Sequence, residues 1–173
     1  MLTEVTLPST LKTIDSGAFY NCNSLSKINF PENLETIGDM AFANCALEEV
    51  IMPESCTSFF GTGHFFGNLS LKKVHFPSGL KTIPSAIFSS CGALETVEWP
   101  AELTSISLAA FEDCESLKEI TFPDKLETVG MNAFSRCHEL ERITFPKSLR
   151  TIEAGAFNKC SALREVNFSE GLE

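Results

Sequence analysis

Apolar and polar positions recur along the chain with a period of 23 residues. Each period contains a stretch of alternating apolar and polar residues, such as 117–122 (LKEITF), and such alternation predicts a half-buried β-strand. The proline that follows, here Pro123, cannot donate a ladder hydrogen bond and therefore ends the strand. A second short extended segment, 126–129, comes next. In residues 132–137 the Ala, Phe and Cys have helical-turn spacing, so we expect one short helical or 3₁₀ turn there.

The same side chains return at equivalent positions of successive repeats, and each such set is called a column below. One column is phenylalanine throughout: Phe19, Phe42, Phe65, Phe88, Phe111, Phe134 and Phe157. Three positions later most repeats have cysteine: Cys22, Cys45, Cys91, Cys114, Cys137 and Cys160. A column of mainly isoleucine precedes the phenylalanines: Ile14, Ile37, Phe60, Ile83, Ile106, Val129 and Ile152. The surplus of phenylalanine, with 15 Phe against one Trp and one Tyr, is explained by this repetition.

A single repeat of this kind cannot bury its own apolar residues, whereas stacked repeats bury them in continuous interior columns. Equivalent strands would then pair in parallel, about 4.8 Å apart. We therefore predict that residues 1–173 form one domain, an α/β repeat solenoid of about seven 23-residue repeats with one strand-lined face. Both ends are in phase with the repeat, from Leu2 to Leu172, so we expect the chain to be part of a longer protein.

The third repeat, around residues 47–70, is irregular. One residue is missing between Cys45 and Leu47, and one is gained after Pro53, so that Phe60 would rejoin the isoleucine column. His64 and Asn68 replace the usual Ala and Cys. Two interpretations stay open: a local binding feature with an exposed phenylalanine, or a repeat repacked around larger residues. The candidates for an exposed phenylalanine are Phe59 and Phe66.

The formal charge of −10 argues against nucleic-acid binding, which requires clustered Lys and Arg. It is compatible with a basic partner. No apolar stretch is long enough to cross a bilayer, which predicts no membrane insertion, and no secretory signal is visible at the N-terminus.

The repeat pattern also argues against metal, disulfide and catalytic sites. One cysteine per repeat, stacked at a coil spacing, suits neither a zinc site nor a disulfide, so we expect reduced, buried thiols and no metal. The three histidines lie in no catalytic motif, and no phosphate-binding loop is present. We predict no cofactor and no enzymatic activity. Asn68 and Asn167 begin weak matches to the glycosylation sequon.

The outward positions of the main strand are the candidate binding surface. Acidic and basic residues alternate along two of its columns, which would place opposite charges side by side in a parallel stack. This charge ladder can serve the fold, a ligand, or both. The third outward column holds mainly Thr, Asn and His, which cannot pair with one another as alternating charges do. It is therefore the first place to expect a partner. The candidate binding residues are Lys27, Asn29, Glu49, Lys73, His75, Glu98, Glu119, Thr121, Arg142 and Thr144.

The unit F-P-x-x-L-x-x-I-x-x-x-A-F-x-x-C-x-x-L, intact in residues 122–140 and 145–163, closely resembles the BspA-like class of leucine-rich repeats. The resemblance covers nearly the whole chain. It implies a right-handed horseshoe or arc and a secreted or cell-surface protein that adheres to host matrix or receptor proteins. Because the shared motif is the core, it transfers no specific binding residue.

These patterns are therefore compatible with two functions. The first is a protein-binding or adhesion module that uses the strand-lined face. The second is a structural scaffold whose uncapped ends associate end to end, because open strand edges and apolar columns favour self-association. An enzyme built on the irregular third repeat is the least favoured interpretation.

Overall fold

The computed structural model describes residues 1–169, which form a parallel-strand solenoid of about seven turns. The longer strands, one per turn, are the odd-numbered ones: β1 (Glu4–Thr6), β3 (Lys27–Asn29), β5 (Glu49–Ile51), β7 (Lys73–His75), β9 (Thr96–Glu98), β11 (Glu119–Thr121), β13 (Arg142–Phe145) and β15 (Glu165–Phe168). They line one side of the coil, called the strand face below. The predicted repeat solenoid is confirmed.

A second ladder of two-residue strands follows the prolines. Its members are β2 (Thr13–Ile14), β4 (Thr36–Ile37), β6 (Ser58–Phe59), β8 (Thr82–Ile83), β10 (Ser105–Ile106), β12 (Thr128–Val129) and β14 (Thr151–Ile152). All pairs in both ladders are parallel. In regular repeats the register places Thr128 beside Thr151, 23 residues apart, so equivalent side chains stack.

The stacked columns form the core. The interior Phe rings lie face to face; Phe111, for example, lies 5.9 Å from Phe88 and 5.2 Å from Phe134, centroid to centroid. Rings from the strand column meet them edge-on, as Phe122 meets Phe134 at 5.6 Å. Offset stacking and edge-to-face contact are the preferred geometries of aromatic pairs, and each adds to the burial of apolar area. The interior therefore repeats one favourable packing unit.

The segment that carries the Phe and Cys columns consists of turns, and residues 1–169 contain no helix. The expected helical or 3₁₀ turn is therefore not formed, and the fold is all-β. The reason is the backbone conformation. Each repeat has at least two positions with positive φ, as at Ala109 (52°) and Asp113 (59°), and a right-handed helix requires negative φ throughout. Between them Phe111 N–H donates to Ala133 O of the next repeat at 2.8 Å, so the turns are linked between coils. No helix is present in this region to cross a bilayer.

In the third repeat, the predicted assignment of Phe60 to the isoleucine column is wrong. Phe59, not Phe60, pairs with Ile37 and takes the isoleucine position, while Phe60 is 43% exposed. The extra residue therefore lies between Phe59 and Phe65. Gly61 occupies this insertion with φ of 81°, and a Cβ there would lie 2.3 Å from the Cβ of Asp39.

Neither ladder is continuous. The strands form five sheets, which leaves three breaks, called seams below: β3–β5 and β9–β11 on the strand face, and β6–β8 on the second ladder. At the β6–β8 seam Pro84 stands where other repeats have a residue whose N–H bonds the preceding coil, as Ser107 N–H bonds Ile83 O at 3.0 Å. Because proline has no N–H, this bond cannot form. The predicted parallel pairing of equivalent strands is therefore interrupted at these three places.

Candidate functional site

Side chains on the strand face alternate in direction, as the pattern predicted. The middle residue of a strand points inward, and Val50, Val74, Ile120 and Ile143 are all buried. The residues on either side point outward. All ten candidate binding residues occupy these outward positions, and the half-buried ones among them are Lys73, His75, Arg142 and Thr144.

The seams divide these ten residues among three sheets. Lys27 and Asn29 belong to β3, which pairs only with β1. The sheet β5–β7–β9 carries Glu49, Lys73, His75 and Glu98, and the sheet β11–β13–β15 carries Glu119, Thr121, Arg142 and Thr144. The candidate site is thus three patches on one face rather than a single flat surface.

The central patch contains a charge cluster. Glu98 accepts from Lys73 Nζ at 2.7 Å and pairs with His75 Nδ1 at 2.7 Å, and Glu49 lies 3.9 Å from Lys73. Hydrogen bonds from Lys73, and then from His75, lower the pKa of Glu98, and the same bond to Glu98 raises the pKa of Lys73. All four side chains remain substantially exposed, so the cluster is accessible to a partner.

The third patch shows the predicted pairing of opposite charges along a column. Arg142 donates to Glu119 of the preceding repeat, and this bond raises the pKa of Arg142. In the neighbouring column Arg164 pairs with Glu141 in the same way. The alternating charges therefore help to fix the register of the stacked strands. Thr121 and Thr144, which are uncharged, lie beside these ion pairs.

The first patch borders an open depression at the β3–β5 seam. The depression has a volume of about 620 Å³, and its floor includes the half-buried Ile28 and Phe30. Ile51 stands at its edge with 55% of its surface exposed, in a column that otherwise holds Thr, Asn, His and Glu. Ile51 was absent from the predicted binding residues. The signal that could have found it is the isolated apolar residue in that polar column.

The cysteines are free thiols with a structural role. Cys114 Sγ donates to the carbonyl of Phe88 at 3.3 Å, and the other buried members of the column make the equivalent bond. Burial raises the pKa of Cys45 to about 11 and those of Cys56 and Cys91 to about 12, so these thiols stay protonated. Within residues 1–169 no cluster of His, Cys, Asp or Glu is arranged to hold a metal ion.

Asn68 replaces one of these cysteines and performs the same task. Its Nδ2 donates to the carbonyls of Phe42 (2.8 Å) and Phe65 (2.9 Å), and its Oδ1 accepts from Leu47 N–H at 3.1 Å. Because Asn68 is completely buried, the sequon that begins there is inaccessible in the folded chain. Asn167, the start of the second sequon, is exposed on β15.

Phe59 and Phe66, the two candidates for an exposed phenylalanine, are half-buried. The ring of Phe59 meets the buried ring of His64 edge-on at 5.3 Å. His64 Nε2 bonds the carbonyl of Phe60 at 3.1 Å, and its Nδ1 has no partner among the described residues. Burial lowers the pKa of His64. This part of the third repeat is therefore repacked around larger residues, with Phe60 as its exposed ring.

The two parallel ladders, the 23-residue coil and the interior Leu, Ile and Phe columns define a leucine-rich repeat solenoid. More particularly, the chain belongs to the BspA type leucine-rich repeat family, whose model matches six copies over residues 1–114 and 81–173. The resemblance noted from the repeat motif is thereby confirmed. A search of curated proteins found no match.

Three bacterial leucine-rich repeat proteins of known structure are similar to this chain. One from Eubacterium ventriosum is 34% identical over 92% of this chain and 43% of its own, with a TM-score of 0.83. One from T. pallidum is 27% identical over 94% of this chain and 78% of its own, with a TM-score of 0.79. One from Bacteroides ovatus is 28% identical over 96% of this chain and 55% of its own, with a TM-score of 0.67. The chain thus spans about half the length of the first and third of these relatives.

Proposed function

We propose that this chain is a protein-binding module that recognises a macromolecular partner through its strand face. The observation that supports the proposal is the division between repeated and variable positions. The repeated Leu, Ile, Phe and Cys residues are buried in the stack, whereas the outward strand positions differ from repeat to repeat and are accessible. Variable, exposed side chains on a rigid scaffold are what selective recognition requires.

From the family resemblance we further propose adhesion as the role, with a host matrix or receptor protein as the partner, and a secreted or cell-surface location for the parent protein. The proposal includes no cofactor, no nucleic acid and no catalysis. End-to-end association, the alternative function, stays a prediction, and Leu172, on which it partly depends, lies outside the described residues.

The test introduces charge into the strand face without disturbing the core. Thr121 and Thr144 are register partners on β11 and β13, and the double variant Thr121→Lys/Thr144→Lys should abolish binding to immobilised matrix or serum proteins while the melting temperature stays unchanged. The matched control is Thr128→Lys/Thr151→Lys on the second ladder. That pair has the same register relation and likewise one exposed and one half-buried threonine. We expect the control to bind like the parent chain.

Equal loss of binding in both double variants would contradict a role for the strand face. Unfolding of the Thr121→Lys/Thr144→Lys variant would contradict the assignment of these side chains to the surface. Light scattering on the unmodified chain measures self-association separately, and a monomer at high concentration counts against the scaffold alternative.

A further inference from the structure

In the second ladder, two successive N–H groups of a coil converge on one carbonyl of the coil before it. Thr104 N–H and Ser105 N–H, for example, both donate to Lys81 O, at 2.8 and 3.1 Å. Lys81 and Thr82 are the equivalent residues one repeat earlier. Among the described residues no acceptor bonds the N–H of either one, because β6 and β8 do not pair. Two neighbouring donors therefore point into the β6–β8 seam.

The opposite side of this seam carries carbonyl acceptors. Glu35 O and Ile37 O accept from N–H groups of the next coil, at 3.2 and 3.3 Å. Thr57 and Phe59 are the equivalent residues of the coil that contains β6, and within residues 1–169 no donor bonds either carbonyl. The Cα atoms of β6 and β8 are all more than 8 Å apart, whereas paired strands lie about 4.8 Å apart. The donors and the acceptors therefore face each other across a gap that they cannot bridge.

An open depression of about 500 Å³ occupies this gap. Phe59, Leu80 and Pro84 supply its apolar surface. Phe59 is half-buried, whereas Ile37 and Ile83, at the same position of the neighbouring repeats, are completely buried. The seam thus leaves part of an interior ring accessible from outside, where an apolar side chain of a ligand can cover it.

The charge around the depression favours an anion, although the chain as a whole carries a formal charge of −10. The only charged side chain that lines the depression is that of Lys81. Lys81 takes part in none of the ion pairs of the described chain. Glu102 is within electrostatic reach of Lys81, but its carboxylate is bonded to Lys125 at 2.6 Å. Two N–H groups and one ammonium group are thus available to the same anion.

We propose that the β6–β8 seam binds the C-terminal residue of a peptide whose last side chain is apolar. The terminal carboxylate accepts from the N–H groups of Lys81 and Thr82, because successive N–H groups that converge on one point bind anions and capture peptide chain ends. The N–H of the same terminal residue donates to the carbonyl of Thr57 or Phe59, and its side chain covers the ring of Phe59. A glutamate side chain carries a carboxylate without an N–H beside it and therefore fits less well.

This inference goes beyond the proposed function, because the site lies on the second ladder and uses no residue of the strand face. The affinity comes from two exposed N–H groups, one exposed ammonium group and one apolar contact, so we expect a Kd on the order of 1 mM for a single terminal residue. Such a site adds selectivity to a larger interface rather than holding a partner by itself.

The test is an NMR titration of the ¹⁵N-labelled chain at constant ionic strength. The first probe is acetyl-Gly-Leu with a free carboxylate, and we expect it to shift the amide signals of Lys81 and Thr82 in a saturable way. The amide signals of Glu127 and Thr128, which both bond Thr104 O, serve as the internal control and should stay in place.

Three further probes separate the contributions of the ligand. Acetyl-Gly-Leu-amide lacks the charge, and acetyl-Glu-amide moves the carboxylate to a side chain; each should bind at least about tenfold more weakly than the first probe, a difference of about 1.4 kcal/mol. Acetyl-Gly-Gly keeps the carboxylate and lacks the apolar side chain, and it should bind roughly threefold to tenfold more weakly.

Variants of the chain supply the second arm. Thr57→Glu places a carboxylate of the chain itself at the depression, and Glu35 and Glu127 show that this column accepts glutamate. It should weaken binding of the first probe at least about tenfold, whereas the matched Thr57→Gln should stay within about threefold of the parent chain. Lys81→Gln should weaken binding about threefold to tenfold. Arg150→Gln makes the same charge change in the same column, where the N–H groups are paired, and should leave binding unchanged.

Amide shifts that are absent, or equal for acetyl-Gly-Leu and its amide, would overturn the proposal. Equal binding of acetyl-Glu-amide would also overturn it, because the site would then recognise acidic side chains and not a chain end. Full binding of the first probe by Thr57→Glu would place the ligand elsewhere. The titration contains no macromolecular partner, so its result is independent of whether the Thr121→Lys/Thr144→Lys variant loses partner capture.

Discussion

Replacement of Asn68 by alanine should destabilise the chain more than the loss of a core cysteine does. Asn68 lies in the cysteine column of the irregular repeat and satisfies three main-chain groups: the carbonyls of Phe42 and Phe65 and the N–H of Leu47. A cysteine at this position makes one such bond, as Cys114 does to Phe88 O at 3.3 Å. Asn68→Ala therefore leaves two buried polar groups unpaired, Phe42 O and Leu47 N–H, because Phe65 O also accepts from Cys91 Sγ at 3.3 Å.

The magnitude follows from the cost of each group. An unsatisfied buried donor or acceptor costs about 1 to 3 kcal/mol, so two of them give about 2 to 5 kcal/mol if the site relaxes partially. Asn68→Cys restores the column residue and the bond to Phe42 O, and we expect it to cost about 1 to 2 kcal/mol less than alanine. Cys114→Ala removes one weak thiol bond and little volume, and we expect a cost of about 1 to 2 kcal/mol.

The assay is urea unfolding followed by circular dichroism, with the slope of the transition compared among variants so that a change of cooperativity is detected. The expected order of destabilisation is Asn68→Ala, then Asn68→Cys, then Cys114→Ala. An Asn68→Ala variant within about 1 kcal/mol of the parent chain would refute the reasoning, because Phe42 O and Leu47 N–H would then have no need of this side chain. The reverse order of Asn68→Ala and Asn68→Cys would refute the equivalence of Asn68 with the cysteine column.

The remaining predictions concern the aromatic column and the buried histidine. Phe111→Ala should cost about 3 to 5 kcal/mol in urea unfolding because its ring is stacked between rings on both sides. Phe19→Ala should cost clearly less, because Phe19 is half-buried and among residues 1–169 its ring stacks on Phe42 alone. Equal losses would contradict the stacked column. His64 is neutral when folded because burial lowers its pKa, so the unfolded chain takes up a proton first and stability should fall as the pH drops below about 6.5. His64→Ala, which inserts the residue of most other repeats, should remove that part of the pH dependence, and an unchanged profile would show that another group causes it.

The regular part of the fold could be predicted because the same physical demand is repeated in every coil. Ile120 and Phe122 are buried, while Glu119 and Thr121 are exposed, as the alternation in residues 117–122 requires. The charge ladder was predictable for the same reason, since a parallel register brings Glu119 beside Arg142. The outward direction of the candidate binding residues followed from these two patterns.

The features in which the structure departs from the predicted regular repeat depend on interactions that the spacing of residues does not specify. Phe59 and Phe60 are both apolar, so the count of residues could not decide which one joins the isoleucine column; the pairing with Ile37 decides it. The seams arise where a repeat is short or where proline lacks the ladder N–H, as Pro84 does. The β9–β11 seam lies beside Trp99, the largest residue of its column, and the Cα atoms of the two strands are all more than 8 Å apart.

Helical turns were expected from the Ala, Phe and Cys spacing, but that spacing also fits two successive turns. The difference lies in backbone conformations such as the positive φ of Ala109 and Asp113, which apolar periodicity does not report. The depression at the β3–β5 seam was equally hidden, because it results from pairing that is absent rather than from a motif. Only Ile51 marked it in the sequence.

The division of repeated residues to the inside and variable residues to the outside is tested most directly by the rate of thiol alkylation in the native chain, read by mass spectrometry. The five buried thiols are those of Cys45, Cys56, Cys91, Cys114 and Cys137, and the two half-buried thiols are those of Cys22 and Cys160. The predicted result is slow modification of the five, with any rapid labelling confined to Cys22 and Cys160, and rapid modification of all seven in denaturant. Native labelling of the five at the denatured rate would contradict the stacked interior.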